Sequence, residues 1–121
     1  MSKRILVVED EEDNRRIMRD LLTSVGYEII EAGTGLEGVT AAATHVPDLI
    51  LMDIQLPGLD GYEATRRIKA NPTLRHIPII VVTSYALSGD DVKAFEAGCD
   101  AYISKPFSPR VLLAKVREYL P

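Results

Sequence analysis

The chain is poor in cysteine: Cys99 is the only one in 121 residues, so no internal disulfide exists. A single thiol in such a chain reads as a small apolar core residue rather than a redox centre. No apolar run approaches the ~18 residues that a membrane span requires. The opening Met1-Ser2-Lys3-Arg4 is basic, but only Ile5 to Val8 follow before Glu9-Asp10. That is too short for a signal peptide, so the chain is expected in the cytoplasm. Positive charge is not in excess either. Fourteen Lys and Arg face eighteen Asp and Glu, giving a net charge of -4. This argues against nucleic acid as the main partner. Low-complexity tracts and solenoid-type repeats are also missing.

What is present is ordinary for one globular domain: 46% hydrophobic and 26% charged residues. The central stretch is Pro47 to Gly58. Leu49-Ile50-Leu51-Met52 is an unbroken apolar run that stops at Asp53, and Pro57-Gly58 then turns the chain. Ile5 to Val8 and Ile79 to Val82 are runs of the same kind. Such runs read as strands buried on both faces. Tyr27 to Ala32 and Ala101 to Ser104 are shorter or carry polar residues, which suits edges.

Helices are expected between these strands. The first runs from about Asp13 to Val25, with Ile17, Leu21, Leu22 and Val25 inward and Gly26 as a left-handed stop. Capping-box patterns at Thr34 to Glu37 and Asp60 to Glu63 open the second and third. Ser88 caps the fourth, with Val92 and Phe95 inward and Gly98 as its stop. Ser108-Pro109 opens the fifth, which buries Leu112, Leu113, Val116 and Leu120. His45 and His76 fall in loop-like stretches and read as solvated. Five βα units predict a doubly wound α/β fold of the flavodoxin-like type. The expected parallel strand order is 2-1-3-4-5, one domain over residues 1–121.

In open α/β sheets ligands bind at the carboxyl ends of the strands, where the strand order reverses. Strand 1 delivers Glu9 and Asp10 there, strand 3 Asp53, strand 4 Thr83 and strand 5 Lys105. With strands ~4.8 Å apart, these groups can converge on one pocket. Two carboxylates ~4 Å apart repel by about 4 kcal/mol at an effective dielectric of 20. Either one acid is protonated or a cation binds, and oxygen ligands suit Mg²⁺. The hydroxyl and the ammonium suit phosphoryl oxygens. Asp53 then reads as a nucleophile that becomes an acyl phosphate.

Glu9-Asp10, Asp53 with Pro57-Gly58 and Gly61, Thr83 and Lys105-Pro106 together resemble the receiver domain of two-component response regulators, across the whole chain. The resemblance implies that Asp53 is the phosphoacceptor. Asp10 and the Gln55 carbonyl would bind Mg²⁺, with Glu9 acting directly or through water. Thr83, Ser84 and Lys105 would meet the phosphate. Tyr102 matches the family's switch aromatic, with Thr83 as its partner in switching. Lys105-Pro106 should be cis. Gln55 and Tyr85 stand where the family tunes phosphate lifetime. The donor would be a histidine kinase or a histidine phosphotransfer protein, met by helix 1 (Asn14, Arg15, Met18) and the Pro106-Phe107 loop. A downstream protein would meet helix 4, strand 5 and helix 5. The chain would be a monomer or a phosphorylation-dependent dimer. Met52 to Pro57 and Ala101 to Pro106 are similar to single-domain receivers of the cell-cycle regulator type. Helix 5 ends the chain, so output by protein contact or phosphate relay is expected.

Rival readings are weaker. Gly33 to Gly38 matches G-x-G-x-x-G, but it follows an edge strand in a chain too short for two mononucleotide-binding halves. A haloacid dehalogenase-type phosphatase needs a second acid where Gln55 stands. No Walker A lysine loop is present. A pseudo-receiver that binds partners without phosphorylation is opposed by the intact acids and Lys105.

Overall fold

A strand that is apolar on both faces needs a helical layer on each, and the computed structural model shows that arrangement. It describes residues 2–83 and 90–121, residues 90 and 91 by backbone alone. Ten elements alternate: β1 (Arg4–Val8), α1 (Glu12–Ser24), β2 (Glu28–Ala32), α2 (Gly35–His45), β3 (Leu49–Asp53), α3 (Gly61–Ala70), β4 (Ile79–Thr83), α4 (Asp90–Glu96), β5 (Ala101–Ser104) and α5 (Pro109–Tyr119). The strands form one parallel sheet in the order β2-β1-β3-β4-β5. Every residue of β3 and β4 is buried, whereas β2 and β5, at the edges, are partly exposed.

The two-residue period of a strand sorts the core into two halves. Leu6, Val8, Ile50, Met52, Ile79 and Val81 face one side, where Ala42, Ala64, Ile68 and Ala94 from α2, α3 and α4 cover them. Ile5, Val7, Leu49, Leu51, Ile80 and Val82 face the other, under Met18 and Leu22 of α1 and Leu112 and Val116 of α5. Cys99 is buried, and burial pushes its thiol up to about 11, which suits an inert packing residue.

The starts of α2, α3 and α5 follow side-chain caps, whereas Glu11 before α1 makes no side-chain cap bond. Thr34 Oγ1 accepts from the Glu37 amide at 3.0 Å, Asp60 Oδ1 from the Glu63 amide at 2.9 Å, and Ser108 Oγ from the Val111 amide at 3.2 Å. The boxes are not fully reciprocal. Glu37 accepts from the amide of Gly33, and the Glu63 carboxylate pairs with Arg66 and Arg67. Gly26 and Gly98 end α1 and α4 with φ of 97° and 107°. The expected cap Ser88 lies outside the described residues.

Two amphipathic readings need correction. On α1 the buried residues are Met18 and Leu22, while Ile17 is 63% exposed and Val25 is exposed. Leu21 is only half-buried. On α4 Ala94 is buried, as is Ala97 just after it, while Val92 and Phe95 are 54% and 51% exposed. Small side chains face the sheet there, and the large ones point outward. His45 is not in a loop: it is the last residue of α2, and its carbonyl accepts from the Arg4 guanidinium.

Candidate functional site

The inner strands stop where their apolar runs stop, and each stop presents a polar group. Val8 pairs with Met52, Asp53 with Val82, and Thr83 with Ser104, so the strand ends lie level. Glu9 and Asp10 follow β1, Asp53 ends β3, Thr83 ends β4, and Lys105 follows β5. Glu9, Asp10, Glu11, Asn14, Asp53, Gln55 and Lys105 line one cleft of about 280 Å³.

Two of the acids are sunk into the protein: Glu9 is 1% and Asp53 5% exposed, while Asp10 is open to solvent. One carboxylate oxygen from each of Glu9, Asp10 and Asp53 lies within 4.8 Å of the others. Lys105 Nζ stands 3.4 Å from Glu9 Oε2 and 3.5 Å from Asp53 Oδ2. These distances exceed the ~2.7–2.9 Å of a tight charge-assisted bond, so the ammonium bridges the acids loosely. The Gln55 amide donates to Asp53 Oδ1 at 3.4 Å. Burial pushes the Glu9 carboxyl up to about 7; hydrogen bonding with Asp53 and its negative charge add to this, while Asn14 and Lys105 act in the opposite direction. A group so placed favours a proton or a nearby cation. The donors are all oxygens, which fits a hard divalent ion, and the three acids thus form a metal site in kind.

Thr83 is fully buried, and its carbonyl accepts from the Lys105 amide at 2.7 Å. The Lys105-Pro106 bond is cis. Tyr102 pairs with Val81 across the strands and packs, half-buried, against the core half that holds Ala94 and Cys99. Ser84 and Tyr85 lie outside the described residues. The other sequence-derived candidates converge: Glu9, Asp10, Asp53, Gln55 and Lys105 share the cleft, and Thr83 adjoins it at the end of β4.

Several contributors were not legible as such. Asn14 donates from Nδ2 to Glu9 Oε1 at 3.0 Å and to Glu11 Oε2 at 3.1 Å. Arg15 Nη1 donates to the Glu9 carbonyl at 2.8 Å, and its Nε meets Glu31 at 3.1 Å. Both were expected on a recognition surface. Met18, expected there too, is buried. The signal available was position: a residue in the first turn of α1 leans back over the loop before it. Gly61 was singled out only as a motif residue. A Cβ there would overlap the Asp53 carbonyl, so the backbone must pass too close for any side chain. The glycine-rich Gly33 to Gly38 segment is likewise explained by packing, since a Cβ on Gly35 would overlap the Leu59 carbonyl. A second groove, of about 600 Å³, adjoins the acid cleft and is lined by Asn14, Ile17, Met18, Lys105, Pro106 and Phe107.

The model of the response regulator receiver domain family matches residues 5–117. The chain belongs to the response regulator receiver family. It is 47% identical over 120 residues to the polar-differentiation response regulator DivK of Brucella ovis, covering 99% of this chain and 98% of that one. Among solved structures it resembles the receiver domain of a sensor histidine kinase from Pseudomonas aeruginosa, with 38% identity and a TM-score of 0.92 over 99% of this chain and 98% of the other. That structure carries a magnesium ion coordinated in its active-site cleft. A CheY-like receiver domain protein from Methanospirillum hungatei is 37% identical, with a TM-score of 0.90 over 99% and 94% of the two chains. This receiver is thus a phosphoacceptor of two-component signalling and not a conventional enzyme. Receivers meet histidine kinases and downstream targets. No described helix is long and apolar enough to cross a membrane.

Proposed function

We propose that residues 1–121 act as one receiver domain that takes a phosphoryl group from a phosphohistidine onto Asp53. The observation that carries this is the placement of the Asp53 carboxylate. It is buried at the end of β3, faces Lys105 Nζ at 3.5 Å, and shares a cleft with Glu9 and Asp10. An Asp53 oxygen attacks phosphorus, the P–N bond breaks, and the imidazole leaves with the electron pair. The product is an acyl phosphate.

Asp10, Asp53 and the Gln55 carbonyl would hold Mg²⁺, with Glu9 directly or through water. When bound, Mg²⁺ supplies positive charge that offsets the clustered acids and the phosphoryl oxygens. Lys105 Nζ pairs with one phosphoryl oxygen, and the Thr83 hydroxyl and Ser84 take the others. The receiver thereby assists its own phosphorylation and dephosphorylation. Drawing Thr83 toward the phosphate leaves space into which Tyr102 turns, and the face of α4, β5 and α5 changes its partner affinity. Val92, Phe95 and Val111 are exposed apolar residues on those helices. The donor is a histidine kinase or a histidine phosphotransfer protein in the cytoplasm, and the chain is a monomer that at most dimerises on phosphorylation.

Incubation with acetyl phosphate and Mg²⁺ tests the assignment. Intact mass should rise by one phosphoryl group in the wild type and not in Asp53→Ala. Asp10→Ala should label far more slowly. Equal labelling of Asp53→Ala, or none of the wild type, would overturn the reading and leave an interaction module that works without phosphorylation.

A further inference from the structure

Asn14, expected on a donor-recognition surface, lies at the wall between the acid cleft and the neighbouring groove. Its two N–H groups are both used. One reaches Glu9 Oε1 at 3.0 Å and the other Glu11 Oε2 at 3.1 Å. The second oxygen of Glu9 faces Lys105 at 3.4 Å. Glu9 itself is 1% exposed, so water does little to hold its carboxylate. Its orientation is therefore set by the Asn14 amide, the loosely placed Lys105 ammonium and the hydrogen bond with Asp53. Arg15 fixes the backbone of the same residue through its carbonyl, while Asn14 holds the side-chain oxygen itself.

We propose that Asn14 is a positioning residue for the divalent ion: it pins one Glu9 oxygen so that the other is presented to the cleft. Glu11 serves as the second anchor of the amide, which prevents Asn14 from rotating away. A ligand left to swing loses the preorganisation that metal binding needs, and loss of such outer partners typically weakens metal affinity about 10–100-fold. This inference rests on the Mg²⁺ site proposed above.

Mg²⁺ binding is measured by calorimetry on the unphosphorylated chain with no partner. That choice matters because Asn14 also lines the groove, so a rate of transfer from a partner would mix two effects. Asn14→Leu keeps the shape and removes the donors. It should bind Mg²⁺ about tenfold more weakly, measured well below the temperature at which the variant melts in chelator. In the wild type, the Asn14 side-chain ¹H–¹⁵N pair should shift on Mg²⁺ titration with the same midpoint as the Gln55 backbone amide. That signature needs no variant and would not appear for an amide with only a packing role. If the wild type binds Mg²⁺ and Asn14→Leu binds it equally, or the Asn14 side-chain signal stays still, the inference fails alone. Should the wild type not bind Mg²⁺ at all, both the site and the inference fall.

Discussion

At the residue scale, Glu9 makes the stability of the metal-free chain depend on pH. Its carboxyl is raised from 4.5 to about 7, chiefly by burial. Between those values the folded chain keeps a proton that the unfolded chain has released. Stability must then fall as pH rises through that window, by up to roughly 3 kcal/mol, and stay low above it. Urea melts in chelator at about pH 5 and about pH 8 should show the wild type losing more stability than Glu9→Gln, which has no proton to release. Parallel losses in the two proteins would remove Glu9 from this role. Gly61→Ala is the second test at this scale. The added methyl would overlap the Asp53 carbonyl. The expected cost is about 1–3 kcal/mol of stability, and labelling by acetyl phosphate should slow because the carboxylate moves with its backbone. The acids and Lys105 were legible in the sequence because the acids end apolar runs and Lys105 follows the last strand, and strand geometry does the rest. Asn14 was not, since its partners are reached through a loop whose path no residue pattern fixes.

At the scale of elements, helix starts were the most readable feature and helix faces the least. Thr34, Asp60 and Ser108 all cap through a side-chain oxygen. Replacing Thr34 or Asp60 by Ala should cost about 1 kcal/mol each, read as a lower urea midpoint with an unchanged slope. Asp60 should cost function as well, because α3 begins at Gly61, against the Asp53 backbone. Thr34→Ala should leave labelling untouched. Faces failed where apolar residues outnumber the core positions. On α1, Ile17, Met18, Leu21, Leu22 and Val25 span more than one stripe, and packing selects Met18 and Leu22. Among the described side chains of α4 the small Ala94 is buried while Val92 and Phe95 are exposed, so bulk was a misleading guide to burial.

At the scale of the whole molecule, the acid cleft and the neighbouring groove sit side by side, sharing Asn14 and Lys105 but otherwise lined by different side chains. The acid cleft holds Asp53, while the groove beside it has Ile17, Met18 and Phe107 as its apolar lining. A small donor such as acetyl phosphate needs only the cleft. A phosphohistidine on a helical partner must also be carried to Asp53 by contacts around it, and the groove is the apolar surface nearest to Lys105. Ile17 is 63% exposed and does not line the acid cleft. Ile17→Glu places a charge where a partner would bury an apolar contact. A loss of about 1.4 kcal/mol or more would slow transfer at least tenfold at partner concentrations below saturation. Labelling by acetyl phosphate should remain at the wild-type rate, since the acids, Lys105 and Asn14 are unchanged. Phosphotransfer profiling of wild type and Ile17→Glu against the histidine kinases of the source organism measures both at once. A variant that loses both donors equally would mean that the groove is part of the chemical site and not a separate recognition surface. One that keeps both would place donor recognition elsewhere on the fold.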